Sequence, residues 1–233
     1  GLACFCPPPE SPPIGPLPAI RQGSLAFGSV NSNPKINPGC IALWSRVLRQ
    51  IPTSRMVLKF RGGADEEIQS HYRRQFESHG VAGERIEIVG HLPFQEYLGL
   101  FHRLDLLLDT YPYNGCITTL EGLWMGVPIL TLTGQTYVSR VGLSILKRLG
   151  LEVFAASSAD DYVAKAHALT SQLDALAQIR QSLRAMMLAS PLCDPGRMGR
   201  ELEQAYRSLW RTWCQRRANG STSAPAERQR AVP

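Results

Sequence analysis

The sequence lacks several patterns, and each absence narrows the field. No run of about eighteen apolar residues occurs, so nothing reads as a transmembrane helix and no membrane partner is expected. No GxGxxG follows the first apolar strand and no GxxxxGK[ST] occurs, which argues against a dinucleotide fingerprint and a P-loop of that pattern. The six cysteines are Cys4, Cys6, Cys40, Cys116, Cys193 and Cys214; only Cys4 and Cys6 are close together, and there is no CxxC or Cys/His cluster. A zinc site is therefore not expected, no disulfide framework is suggested, and a reducing cytoplasm is the default location. Lysine is scarce, four residues against 21 arginines, which fits a GC-rich coding bias and makes each lysine worth a look. The start, Gly1-Leu-Ala-Cys-Phe-Cys, has no basic or long apolar stretch of a signal peptide and reads as the cut edge of a longer chain.

What is present is globular: 233 residues, 44% hydrophobic and 19% charged, enough to bury a sizeable core. The net charge is +6, but residues 215–233 carry four Arg and one Glu, leaving +3 on the other 214 residues. A basic tail on a near-neutral body gives little support for a nucleic-acid partner. Three regions are expected. Residues 1–24, with seven prolines between Pro7 and Pro18, read as an extended proline-rich linker without a core of its own. Residues 25–214 read as one α/β lobe, and 215–233 as a disordered basic tail.

Within the lobe, strands alternate with helices. Strands are predicted at 25–31 (LAFGSVN), 55–61, 85–89, 105–108 and 128–131, and helices from Pro38, at 65–79, 93–102, 118–125 and 138–149. From 160 onward the pattern is nearly all helical, at 160–170, 173–189 and 196–214. Short apolar strands alternating with helices predict a Rossmann-like parallel sheet covered on both faces. In such sheets ligands sit beyond the carboxyl ends of the strands.

The loop after the 105–108 strand, DTYPYNGCITTLE from Asp109 to Glu121, is long for its place. Asn114-Gly115 supplies a turn, and Thr118 and Thr119 supply hydroxyls where the next helix begins, a setting that suits a diphosphate. Glu121 can accept two hydrogen bonds from a ribose diol. Thr118-x-x-Glu121 is equally a capping box that needs no ligand. Lys35 lies on the same sheet edge and either neutralises a phosphate or is a surface lysine. Arg140, after the 128–131 strand, either approaches a phosphate or orients its own loop. His91 and His102 lie near strand and helix ends, whereas His71, His79 and His167 read as solvated.

These residues fall into four ordered blocks: FGSVN with KINP from Lys35; DLLLDTYPYNGxxTTLEGLWMGVP from Asp105; GQTxxSRV from Gly134; and SPLCD from Ser190 with the closing helix through Trp210. Together they resemble the C-terminal catalytic lobe of the O-linked N-acetylglucosamine transferase and SPINDLY-like group, glycosyltransferase family 41, of the bacterial tetratricopeptide-repeat type. The resemblance covers about residues 1–214. It implies a GT-B fold and a metal-independent, inverting transfer of N-acetylglucosamine, or another hexose, from a UDP-sugar to protein Ser/Thr. No cofactor is implied; the donor is a sugar nucleotide, UDP-GlcNAc above all, and the partners are a protein acceptor and an N-terminal catalytic lobe with repeats.

By that resemblance Lys35 matches the catalytic lysine that contacts the diphosphate. Asn114, Gly115, Cys116, Ile117, Thr118 and Thr119 form the donor loop, Glu121 holds the ribose, Leu92 through Tyr97 line the uracil pocket, and Arg140 lies in a similar SR-containing loop. This chain departs from the pattern at Cys116 and Ile117, where relatives tend to have His and Thr, and at Phe94 and Tyr97, where animal relatives have Lys and His. A lobe-bridging histidine and much of the acceptor groove belong to the N-terminal lobe, so the chain alone is expected to bind nucleotide without turnover. The alternative is a non-catalytic nucleotide-binding or protein-interaction module.

Overall fold

The computed structural model describes residues 4–218. Its centre is a six-stranded, all-parallel sheet: β1 (Ala26–Ser29), β2 (Arg55–Lys59), β3 (Ile86–Val89), β4 (Leu106–Leu108), β5 (Ile129–Leu132) and β6 (Ala155–Ala156). The strand order is β3-β2-β1-β4-β5-β6. β1 therefore has β2 on one side and β4 on the other, with Phe27 opposite both Met56 and Leu106. The chain reverses direction across the sheet between β1 and β4, which opens a crevice beyond their carboxyl ends. Every residue of β1 and β4 is buried, as a sheet covered on both faces requires.

The helices are α1 (Pro18–Gln22), α2 (Pro38–Gln50), α3 (Glu66–Ser78), α4 (Phe94–Leu100), α5 (Ile117–Trp124), α6 (Val141–Arg148), α7 (Ala159–Thr170), α8 (Leu173–Ala189) and α9 (Pro195–Ala218). Local chemistry explains several starts. Pro38 is the first residue of α2, and the Asn37 side chain accepts the Cys40 N–H. Asp65 caps α3 by accepting from the N–H groups of Glu67 and Ile68. The expected alternation is present throughout, with boundaries moved by a few residues. α1 and the two-residue β6 had no counterpart in the sequence pattern. α1 is only five residues long and ends at Gly23, whose φ of 68° is the left-handed value that glycine adopts without strain.

Among the described residues, those up to Cys193 form one compact unit, and those from Asp194 form a second. The lobe's proline-rich beginning is extended but not detached. Phe5 and Leu17 are buried in the lobe's single core, and Phe5 packs edge-on against Trp124. The carbonyls of this strap are held by arginines of α8. Arg180 donates to Gly15 O and to the carbonyls of Leu104 and Phe101, and Arg184 donates to Pro12 O. Asp105 balances Arg180 electrostatically and accepts the N–H groups of Ala19 and Ala26. A proline-rich segment has spare carbonyls and few N–H groups, so arginine donors suit it.

The second unit is the helix α9. It carries Leu202, Tyr206, Leu209, Trp210 and Trp213 at helical spacing, with Trp210 and Trp213 stacked 5.1 Å apart. The tail expected to be disordered from 215 is corrected at its start, because α9 continues through Ala218. An Arg217–Trp213 cation–π contact at 4.8 Å and i,i+4 ion pairs such as Glu203–Arg207 support the helix. The rest of that expectation, 219–233, lies outside the described residues.

Candidate functional site: the β1–β4 crevice

Two loops meet at the crevice. The one after β1 carries a 3-10 turn, Asn33–Lys35, and the other joins β4 to α5. Lys35 Nζ donates to the Asn114 carbonyl at 3.0 Å and lies 4.1 Å from the centre of the Tyr113 ring. Asn37 Nδ2 donates to Tyr111 O at 2.7 Å, and Thr118 Oγ1 donates to Asn31 Oδ1 at 3.2 Å. Residues about eighty positions apart in sequence are thus tied into one sheet edge.

Asp109 organises the second loop from beneath. Its side chain is fully buried and accepts from the N–H groups of Thr110 and Gly115 and from the Thr131 hydroxyl at 2.8 Å. Burial pushes its carboxyl up to about 7, against the opposing pull of those three hydrogen bonds and of the Lys35 charge. Burial also lowers Lys35 from its ordinary value, while Asp109 and then Cys116 act to raise it. The Cys116 thiol is raised by burial. Gly115 has no room for a side chain: a Cβ there would sit 2.6 Å from Thr119 Oγ1 and 3.0 Å from Asn31 Oδ1 and Thr118 Oγ1. Backbone and three side-chain oxygens crowd together here because nothing larger than hydrogen separates them.

α5 begins at Ile117, with Cys116 at its N-cap and no side-chain cap. Thr118 is consequently inside the first turn, and Glu121 is a full turn in. The capping box is not formed: Thr118 bonds to Asn31, and Glu121 Oε2 accepts from Tyr97 Oη at 2.6 Å. The helix leaves its first N–H groups and their positive end toward the loop. Thr118 and Cys116 are half-buried, and Ile117 is 56% exposed. Thr119 lies deeper; its hydroxyl is buried and has no hydrogen-bond partner among the described residues.

The remaining expected residues lie around this centre. Asn114 is buried and holds the loop by donating to Thr110 O. Leu92 is half-buried and packs on the core, and Tyr97 is buried. Arg140 is exposed and donates to Gly134 O at 3.2 Å, the loop-orienting arrangement. His102 contacts Pro13 O of the strap, and His91 is exposed.

Three residues without an assigned role enter the site. Asn31 and Asp109 stood inside the motifs but drew no attention as single residues. Lys59, at the carboxyl end of β2, is 4.6 Å from the Tyr97 ring centre. The scarcity of lysine that singled out Lys35 also applied to Lys59.

Residues 19–202 match the sequence model of glycosyl transferase family 41. The chain belongs to that family. A probable UDP-N-acetylglucosamine–peptide N-acetylglucosaminyltransferase SPINDLY of Solanum lycopersicum is 36% identical over 212 residues, 91% of this chain and 23% of that protein. The corresponding SEC protein of Arabidopsis thaliana is 27% identical over 88% of this chain and 21% of its own length. The solved structure of a Thermobaculum terrenum O-GlcNAc transferase mutant superposes with a TM-score of 0.82 at 37% identity, covering 90% of this chain and 39% of that one. A sucrose-phosphate synthase of Thermosynechococcus elongatus, 14% identical with a TM-score of 0.56, shares the fold alone. This family 41 chain therefore has the architecture of the C-terminal lobe of a GT-B glycosyltransferase, and it spans about a quarter of the curated SPINDLY relatives it matches.

Proposed function

We propose that this chain is the donor-binding lobe of a glycosyltransferase that moves N-acetylglucosamine, or another hexose, from a UDP-sugar to Ser/Thr of proteins. The observation that carries the reading is the convergence of Lys35 and the start of α5 at the β1–β4 crevice, with Lys35 Nζ 3.0 Å from Asn114 O. As the anomeric bond breaks, the electron pair stays with the β-phosphate oxygen and its negative charge grows. An ammonium and a helix N-terminus fixed beside that oxygen stabilise the charge with little reorganisation, and one such contact is worth about 10²–10³ in rate.

In this reading Lys35 is the catalytic residue. Asn114, Gly115, Cys116, Ile117, Thr118 and Thr119 shape the diphosphate loop, and Glu121 takes the ribose. Leu92 and the α4 face line the base pocket, where Phe94 is 49% exposed and offers a ring face. Arg140 orders the neighbouring loop. The donor is the substrate, and the lobe takes no separate cofactor or metal. An N-terminal lobe elsewhere in a longer, cytoplasmic protein supplies the rest of the acceptor groove. Titration calorimetry with UDP, UDP-GlcNAc and GDP tests the reading. UDP should bind and GDP should bind more weakly; folded protein that ignores UDP would overturn it.

A further inference from the structure

Glu121 is hydrogen-bonded to a residue of one other element, and that residue is in turn covered by the cation of a second. Tyr97, from α4, donates its phenol to Glu121 Oε2 at 2.6 Å. Lys59, from β2, lies 4.6 Å from the Tyr97 ring centre, and its charge acts on Glu121. The Tyr97 ring is 7% exposed and is flanked by Phe101 at 5.3 Å and Phe94 at 6.3 Å. A ring covered in this way has little free face for a base. A buried phenol needs an acceptor, and here the acceptor is a carboxylate, the pairing that makes a short, strong hydrogen bond. Glu121 Oε1 accepts no hydrogen bond among the described residues.

We infer that Tyr97 and Lys59 are positioning residues that hold the Glu121 carboxylate in one orientation, leaving Oε1 to read the ribose diol of a nucleoside diphosphate. The inference rests on the proposed donor-site reading and extends it to a residue, Lys59, that the motifs did not mark. A carboxylate on a flexible three-bond stem discriminates poorly unless its rotamer is set, because each ribose hydrogen bond must otherwise offset the lost side-chain freedom. Tyr97 sets the rotamer through hydrogen bonding, and Lys59 keeps a cation beside the pair.

The test compares UDP with 2′-deoxy-UDP in the wild type, Tyr97→Phe, Lys59→Met and the charge-preserving Lys59→Arg. The wild type should prefer UDP by about tenfold, the scale of one hydrogen bond to a charged group. Tyr97→Phe and Lys59→Met should bring that ratio toward one, Lys59→Arg should keep it, and all should bind pyrophosphate as the wild type does. Carbon NMR of labelled glutamate gives a ligand-free readout. The Tyr97 hydrogen bond and the nearby Lys59 charge both favour the ionised carboxylate, so the Glu121 titration midpoint should move up in Tyr97→Phe and Lys59→Met.

An unchanged ratio in folded Tyr97→Phe and Lys59→Met would overturn the positioning role and leave a purely structural contact. A wild type that binds UDP and 2′-deoxy-UDP equally would remove Glu121 from the ribose, overturning this inference while the donor site stands. A wild type that binds neither would overturn both.

Discussion

Lys35 and Asn114 are joined by a 3.0 Å hydrogen bond from an ammonium to a backbone carbonyl, across the gap between β1 and β4. A backbone carbonyl cannot neutralise the lysine, and the carboxylate whose charge acts on it, Asp109, lies beneath the loop with three hydrogen bonds of its own. The lysine is half-buried, lowered by that burial, and without a direct carboxylate partner among the described residues. An arriving phosphate would supply the anion that the protein withholds.

Replacing Lys35 by alanine should therefore weaken UDP binding by about 1.5–3 kcal/mol, the range for a hydrogen bond to a charged group. Thermal stability should hardly fall, since the change also removes the cost of keeping an ammonium half out of water. Calorimetry with UDP and a melting curve on the same sample check both halves.

The Asp109–Glu121 loop, the donor loop of the proposed function, carries two residues that should respond to polar replacement. Ile117 is 56% exposed and Cys116 is half-buried beside Lys35, so neither supports the core. The double change Cys116→His and Ile117→Thr should leave the fold intact and tighten UDP, by about tenfold if each adds one ordinary hydrogen bond. Equal UDP affinity before and after would place both residues away from the phosphates.

Asp109 predicts a pH dependence of stability. Its carboxyl is raised by burial to about 7 in the folded protein, from the ordinary range near 3.8. The folded state thus holds a proton that the unfolded state releases first. This contribution is fully present below pH about 4 and is lost as pH rises through about 7. Asp109→Asn should flatten that part of the stability–pH curve in urea denaturation. It should also loosen the loop, because Asn presents one carbonyl oxygen where the carboxylate serves three donors.

Arg180 joins the strap to the lobe from within. It is fully buried, lowered to about 10 by that burial, and its donors serve three carbonyls beside Asp105. Arg180→Ala removes the cation and leaves Asp105 and the three carbonyls without it. The expected loss is about 3–5 kcal/mol, with release of the proline-rich segment to proteases. Chemical denaturation and limited proteolysis measure it. A loss within about 0.5 kcal/mol, the scale of ordinary surface changes, would show that Arg180 does not hold the strap.

The periodic signals of the sequence determined the parallel α/β lobe and the order of its elements. Apolar runs such as LLL in β4 can be satisfied only where both faces are covered, and Asn37-Pro38 and Asp65 mark helix starts through chemistry that acts within a few residues. The motifs placed Lys35 and the Asp109–Glu121 loop on one edge by the same local logic. Tertiary structure decided the choices that depend on distant partners. Thr118-x-x-Glu121 reads as a capping box until Asn31 takes Thr118 and Tyr97 takes Glu121. Tyr97 is one aromatic among several in the sequence, and only the fold sets Lys59 and Phe101 against its ring. The proline-rich start reads as a segment without a core of its own, and only the fold shows Arg180 and Arg184 claiming its carbonyls from 165 or more residues away in sequence. Periodicity reports which face of an element is apolar; only the folded chain reports which donor reaches which acceptor, because hydrogen bonds and desolvation act over a few ångströms in space regardless of separation along the chain.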